Sequence, residues 1–374
     1  MKNTVFTQTK RGFVIILIAS FLFCLYPTSI YATDSFAVNA KAAVLYEPDT
    51  KTFLYAKNCD ARLPMASTTK IMTALVAIER ENLNKKIAVD TRAVGVEGSS
   101  AYLWAGEEFT LKELLYALML RSANDAAEAI AYALAGSIEE FAALMNEKAA
   151  QLGLTDTHFT NPHGLDHDEH YTTAKELAVI TAAALEYPEF CEIVSTRTKR
   201  IEKDGLTRIF TNHNRLLSAY SGCIGVKTGY TKRTGRCLVS AAERDGVKLI
   251  AVTLACPDDW HVHEQMLDLG FSLLERVTIF DKADFAPTLD VADGMANSIT
   301  LGIERNITVI KKKSDEAPKI VIDIPKSVAA PISRGDAVGR IQLIYPDGTI
   351  EFFDVIAVEN VKKAKKKGLF GLFE

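Results

Sequence analysis

An α+β domain followed by a small all-β module is the fold class that three features of the sequence predict. A β-hairpin pattern lies near the start, at 40–56. Helical periodicity dominates the stretch from about residue 67 to 187. Strand patterns return at 222–256 and again beyond residue 276. The early hairpin and the strands at 222–256 therefore share one antiparallel sheet, and a helical insertion separates them in the chain. The 374 residues, 48% hydrophobic and 24% charged, are ample for that domain and a smaller one. The formal charge of −4 gives no broad electrostatic case for nucleic-acid binding.

Taken in order, residues 1–32 differ from the rest. Lys2, Lys10 and Arg11 precede the apolar run "VIILIASFLFCLY", and "PTSIYA" ends on the small residue Ala32. This is the pattern of a signal peptide cleaved after Ala32; a retained anchor helix is the alternative, although the run is short for a full span. Cys24 sits beside bulky Phe23, unlike a lipoprotein cleavage site. The protein is thus expected to be exported and to act outside the cytoplasmic membrane.

The catalytic domain is expected over 33–275. Runs 40–47 and 52–56 form a hairpin across the turn "EPDTK". A helix opens near Ser67 and continues to about Ala77. Apolar residues at helical spacing follow in "LKELLYALMLRSANDAAEAIAYAL" (111–134), "IEEFAALMNEKAAQLG" (138–153) and "TAKELAVITAAALEY" (173–187). "GCIGVKTGYT" and "RCLVSAAERDGVKLIAVTLA" predict adjacent strands, and "HVHEQMLDLGFSLLER" a helix over 261–276. Five cysteines follow residue 32, an odd number without a CxxC pair, so neither a disulfide scaffold nor a zinc ribbon is indicated. Cys223 and Cys237 fall on candidate neighbouring strands, which leaves a bond between them open.

Residues 276–359 carry short β-prone runs between Gly, Pro and Asp, with no histidine and no catalytic cluster. A positioning role follows. Residues 360–374, "NVKKAKKKGLFGLFE", place five lysines before Leu369, Phe370, Leu372 and Phe373. Such a tail suits peripheral contact with an anionic membrane; a frayed, solubilising end is the alternative.

Three short clusters carry chemistry. In "LPMASTTKIMTA", Ser67 and Lys70 share a helix face in an apolar run. Serine needs a base within reach, and burial can lower a lysine pKa enough to supply one. In "LRSANDAAEA", Ser122 can relay a proton and Asn124 can hold Lys70 or a substrate carbonyl; either can equally be an N-cap. In "GVKTGYT", Lys227 and Gly229 share a strand face. The glycine admits a close backbone approach, while Lys227 and Thr228 can meet a carboxylate. A plain strand exit explains the same residues. Each pattern alone is short.

Together, SxxK, SxN and KTG in this order resemble the penicillin-interacting serine acyltransferases. The stretches "FTNPHGLDHDEHYTTAKELA" and "TNHNRLL" narrow the resemblance. They point to the low-molecular-mass D-alanyl-D-alanine carboxypeptidases, in particular the group of Gram-positive spore-forming bacteria, over about 38–275. The resemblance implies a β-lactamase/transpeptidase-like fold with Ser67 as nucleophile, Lys70 as base, Ser122 and Asn124 as second motif, and Lys227, Thr228 and Gly229 as third. The backbone N–H groups of Ser67 and Tyr230 resemble the oxyanion donors. It implies peptidoglycan stem peptides ending in D-Ala-D-Ala as substrate, β-lactams as covalent inhibitors, and no cofactor.

One departure stands out: the chain lacks an arginine in "LACPDDWHVHEQMLDLGF", where such enzymes often bind the terminal carboxylate. Arg233 or Arg236 is the substitute, or Lys227 and Thr228 suffice. Three rival functions remain. His158, His163, His167 and His170 with Asp166 and Asp168 suggest a zinc peptidase, but no HExxH occurs and the ligands would come from a loop. A β-lactamase lacks a convincing glutamate loop here. A non-catalytic binder would keep the same acylation site.

Overall fold

A computed structural model describes residues 38–203 and 205–365. The segment read as a signal peptide and most of the lysine-rich tail lie outside the described residues. Among the described residues no helix is long and apolar enough to cross a membrane.

The hairpin forms as expected, with β1 (Ala42–Glu47) antiparallel to β2 (Thr52–Lys57). The buried Glu47 carboxylate closes the turn by accepting from the backbone N–H groups of Asp49 and Thr50. Next comes α1 (Lys70–Arg80), in which every residue from Lys70 to Ala77 is buried. A helix apolar all round belongs in the middle of a core. The short ribbon of β3 (Lys86–Ala88) and β4 (Glu108–Thr110) leads into α2 (Leu111–Leu120), whose start is fixed by a Thr110–Glu113 capping box. Then follow α3 (Asn124–Ala135), α4 (Ile138–Gln151), α5 (Ala174–Leu185) and α6 (Pro188–Ser195). A ribbon of β5 (Thr198–Lys203) and β6 (Leu206–Thr211), then the single turn α7 (Leu216–Ala219), complete the insertion.

The chain returns to the sheet as β7 (Cys223–Thr231), β8 (Gly235–Arg244) and β9 (Val247–Leu254). The strand order is β2-β1-β9-β8-β7, antiparallel throughout. Period-two alternation sorts the two faces. Val44, Tyr46, Val239, Ile250 and Val252 pack against the insertion. Leu45, Leu238, Leu249 and Ala251 pack against α8 (Asp259–Leu273). With both faces covered, β8 is buried without a break from Cys237 to Ala242 and β9 from Leu249 to Leu254.

Two expectations change against this fold. The last helix stops at Leu273 rather than Arg276. Val277, Thr278, Ile279 and Phe280 favour extended backbone, and β10 (Leu274–Phe280) pairs with β13 (Ile307–Lys312). Cys223 and Cys237 do sit on neighbouring strands, but Cys223 is opposite Ala242 and Cys237 opposite Gly229. They are not bonded, and all five described cysteines are free thiols.

The β module has its own core around Ile299, Leu301, Ile341, Leu343 and Val355. Its main sheet combines β11 (Thr288–Ala292), β12 (Ser298–Gly302), β14 (Lys319–Asp323), β15 (Ser327–Ala329), β16 (Ala337–Ile344) and β17 (Ile350–Ala357). Their order is β14-β16-β17-β12-β11-β15. Contacts continue past Glu359: Val361 is buried opposite Ile332, and Lys363 bridges to Gly294.

Candidate active site

Ser67 does not lie in the long helix but in a 3-10 turn, Ala66–Thr69, just before it. The hydroxyls of Thr68 and Thr69 explain the tightened turn, for they donate back to the carbonyls of Met65 and Ala66 at 2.6 and 2.8 Å. Ala66 is held at φ +49°, which a non-glycine residue seldom adopts. His170 supports the turn from below, its Nδ1 accepting from the Thr160 N–H and its Nε2 lying 2.8 Å from Thr69 Oγ1. Two close approaches seal it. A Cβ on Gly164, at φ +89°, would come within 1.9 Å of the Ala66 carbonyl oxygen, and one on Gly229 would lie 3.1 Å from Ser67 N. Gly229 thus lets the edge strand β7 lie against the nucleophile's own backbone.

Lys70 is wholly buried, with three partners around Nζ. Asn124 Oδ1 and the His163 carbonyl are each 2.7 Å away, and Ser67 Oγ is 3.1 Å away. The first two can only accept. A neutral amine with two N–H bonds satisfies both and directs its lone pair at the serine hydroxyl, which can donate. Electrostatics favour that state. Burial holds Lys70 well below the ordinary lysine range, the charge of Lys227 pushes the same way, and Asp125 opposes.

The capping alternative for the second motif is not what forms. Ala123 occupies the N-cap of α3, and no side chain caps it. Asn124 instead bridges, its Nδ2 donating to the Glu97 carbonyl at 2.6 Å while Oδ1 accepts from Lys70. Ser122 precedes it at φ +61°, on the wall of an open cleft of about 420 Å³ that also contains Ser67, Thr228, Gly229 and Tyr230. Lys227 is buried behind this wall, where burial lowers its pKa to about 7, and its Nζ donates to the Thr228 carbonyl. A larger hollow, between the β1–β2 turn and the β module, contains none of the motif residues.

The histidine-rich loop does other work. The His163 carbonyl receives Lys70, and the Leu165 N–H donates to its Nδ1 at 3.2 Å. The ring proton is therefore on Nε2, 3.3 Å from Glu128. His158 and His167 bond the backbone of Glu169, Asp166 accepts from Thr231, and Asp168 pairs with Arg233. Among the described residues no three His, Cys, Asp or Glu side chains converge as a metal cluster.

Arg233, in an exposed pair, is not among the residues lining the cleft, whereas Arg236 lines it, with Nε and Nη2 both on the buried Asp259. His263 is fully buried between Ser240 and Thr253 on the far face of the sheet and does not reach the site. Sequence reasoning missed Ser99, His213, Arg215 and Trp260, which also line the cleft. The stretch "TNHNRLL" contains His213 and Arg215 but no catalytic pattern, and nothing about Ser99 or Trp260 marks them in the sequence.

A family model described as "D-alanyl-D-alanine carboxypeptidase" matches residues 29–258, and one described as "Penicillin-binding protein 5, C-terminal domain" matches 274–363. D-alanyl-D-alanine carboxypeptidase DacF of Bacillus subtilis is 33% identical, covering 89% of this chain and 88% of its own. DacC of Escherichia coli is 30% identical over 94% and 92%. Among solved structures, penicillin binding protein 5 from Haemophilus influenzae superimposes with a TM-score of 0.65 at 25% identity, over 88% of this chain and 99% of that one. The Streptomyces K15 DD-transpeptidase does so with 0.60 at 34% identity, over 63% and 98%.

Proposed function

Because the chain belongs to the serine-type D-alanyl-D-alanine carboxypeptidases, penicillin-binding proteins of low molecular mass, we propose that Ser67 and Lys70 are the pair that performs the family's reaction. The single observation carrying this is the Lys70 environment, with two acceptors and one hydroxyl around a buried amine. Ser67 Oγ attacks the carbonyl of the penultimate D-alanine of a peptidoglycan stem as its proton passes to Lys70. The Ser67 and Tyr230 N–H groups receive the oxyanion, each worth roughly 3–4 kcal/mol when well placed. The C–N bond then breaks, and the terminal D-alanine leaves with a proton delivered through Ser122 or Lys70. Water adds to the acyl-enzyme, its proton passes to Lys70, and Ser67 is regenerated. β-Lactams present a strained carbonyl at the same position and acylate the same oxygen.

The terminal carboxylate is held, in this reading, by Thr228 and by the cationic side of the cleft. Arg236 has Nη1 to spare, Arg215 lines the same wall, and Lys227 contributes from behind. The β module positions the catalytic domain, and export followed by peripheral contact through residues 360–374 would place it at its substrate. Membership of the spore-former group is part of this proposal; what supports it is the 33% identity to the Bacillus subtilis relative against 30% to the Escherichia coli one. The deciding assay measures D-alanine release from a pentapeptide with a free C-terminus and from its amide, with and without an acceptor amine. Release favouring the free acid, with Arg236→Ala narrowing the difference, is the expected result. No release from either form would refute the reading, and capture of the acyl group by the amine would assign transpeptidation instead.

A further inference from the structure

Two exposed aromatic side chains that the proposed chemistry does not use follow closely in the chain on Ser99, a residue of the cleft wall. Tyr102 and Trp104 are 71% and 56% exposed. Their loop is nevertheless rigidly held. Asp125 accepts from the backbone N–H groups of Ala101 and Leu103 and from the Ser100 hydroxyl. Arg208, on β6, donates to the Tyr102 carbonyl at 3.1 Å and makes a two-point bond to buried Glu107, which also accepts from the Trp104 N–H. Its guanidinium lies 5.5 Å from the Trp104 ring centroid. Tyr102 sits at φ +57°, a strained conformation for a bulky residue. Backbone strain of this kind gathers at ligand clamps and active sites, and here it comes with two exposed aromatic side chains.

The loop is continuous with the cleft. Ser99 lines it and accepts from the Asn124 N–H at 2.7 Å, and Glu97 accepts from the Asn124 amide. Trp104 is five residues beyond Ser99, so it stands at most about 18 Å along the chain from the cleft wall. An extended stem of three or four residues reaches about 10–14 Å, so its sugar falls within that range. Arg208, the cation beside the Trp104 ring, is paired with Glu107, so this surface suits an uncharged ligand with broad apolar faces and hydroxyl edges. We propose that Tyr102 and Trp104 form a saccharide subsite that stacks the glycan carrying the stem peptide, resting on the assignment of the cleft to stem peptides.

The test compares kcat/KM for a free pentapeptide and for the same pentapeptide bearing its disaccharide, in the wild type, Tyr102→Ala/Trp104→Ala and Trp104→Phe. The double variant should lose roughly tenfold on the disaccharide substrate alone, within the range of a few aromatic contacts, and Trp104→Phe should keep most of it. In parallel, the free disaccharide should quench tryptophan fluorescence saturably in the wild type and not in Trp104→Ala. An equal fall on both substrates, no fall on either, or quenching that survives Trp104→Ala overturns the subsite. Quenching lost in Trp104→Ala from a protein inactive on both substrates would keep the subsite and overturn the catalytic reading.

Discussion

At the scale of single residues, Lys70 is the decisive group. Its three neighbours could equally surround an ammonium, and burial is what tips the balance toward the amine. Arginine keeps the charge and cannot deprotonate in this range. Lys70→Arg should therefore fold, yet acylate at least ~100-fold more slowly in a stopped-flow β-lactam assay. In the wild type, acylation should weaken as pH falls through the depressed Lys70 pKa, because the protonated amine has no lone pair for the serine proton. Near-normal acylation by the variant would move the base elsewhere. Ser67 and Lys70 were legible as three-apart residues in an apolar run. The partners that make them a pair were not: Asn124 Oδ1 and the His163 carbonyl arrive from 54 and 93 residues away.

At the scale of elements, the nucleophile turn depends on the loop beneath it. A side chain at Gly164 would meet the backbone carbonyl of Ala66 rather than a movable side chain, and at φ +89° an alanine would be strained as well. Gly164→Ala should cost at least ~2 kcal/mol in urea unfolding and slow acylation, combining left-handed strain with overpacking. Gly153→Ala, also at positive φ but with nothing within 4 Å, supplies the comparison and should cost only about 1 kcal/mol. Equal costs would mean the contact carries no weight. The sequence signalled helices and paired strands through their periodicity. It did not signal the β5–β6 ribbon, whose Arg200, Arg208 and Glu202 hide the alternation, or the switch at Leu274, where helical spacing runs straight into a β-prone run.

At the scale of the whole molecule, the proposal gives the β module and the lysine-rich tail beyond it a part in location rather than in chemistry. Since Val361 is buried and Lys363 is bridged to Gly294, removing everything after Glu359 would damage the module itself. Truncation after Lys365 spares those contacts. It removes Lys366 and Lys367, each worth about 1 kcal/mol near an anionic surface, together with the apolar end. The truncated protein should keep full activity on a soluble pentapeptide and lose co-sedimentation with anionic vesicles, and equal sedimentation would refute the anchor. Salt should release the intact protein only in part, because screening leaves the apolar insertion untouched.

The proposed reaction rests most heavily on Ser67 Oγ being the atom that is acylated. Mass mapping after penicillin treatment tests this directly, alongside D-alanine release from wild type and Ser67→Ala. The adduct should fall on the peptide containing Ser67, and Ser67→Ala should lose both adduct and release. An adduct on another peptide, or D-alanine release that survives in Ser67→Ala, would contradict it.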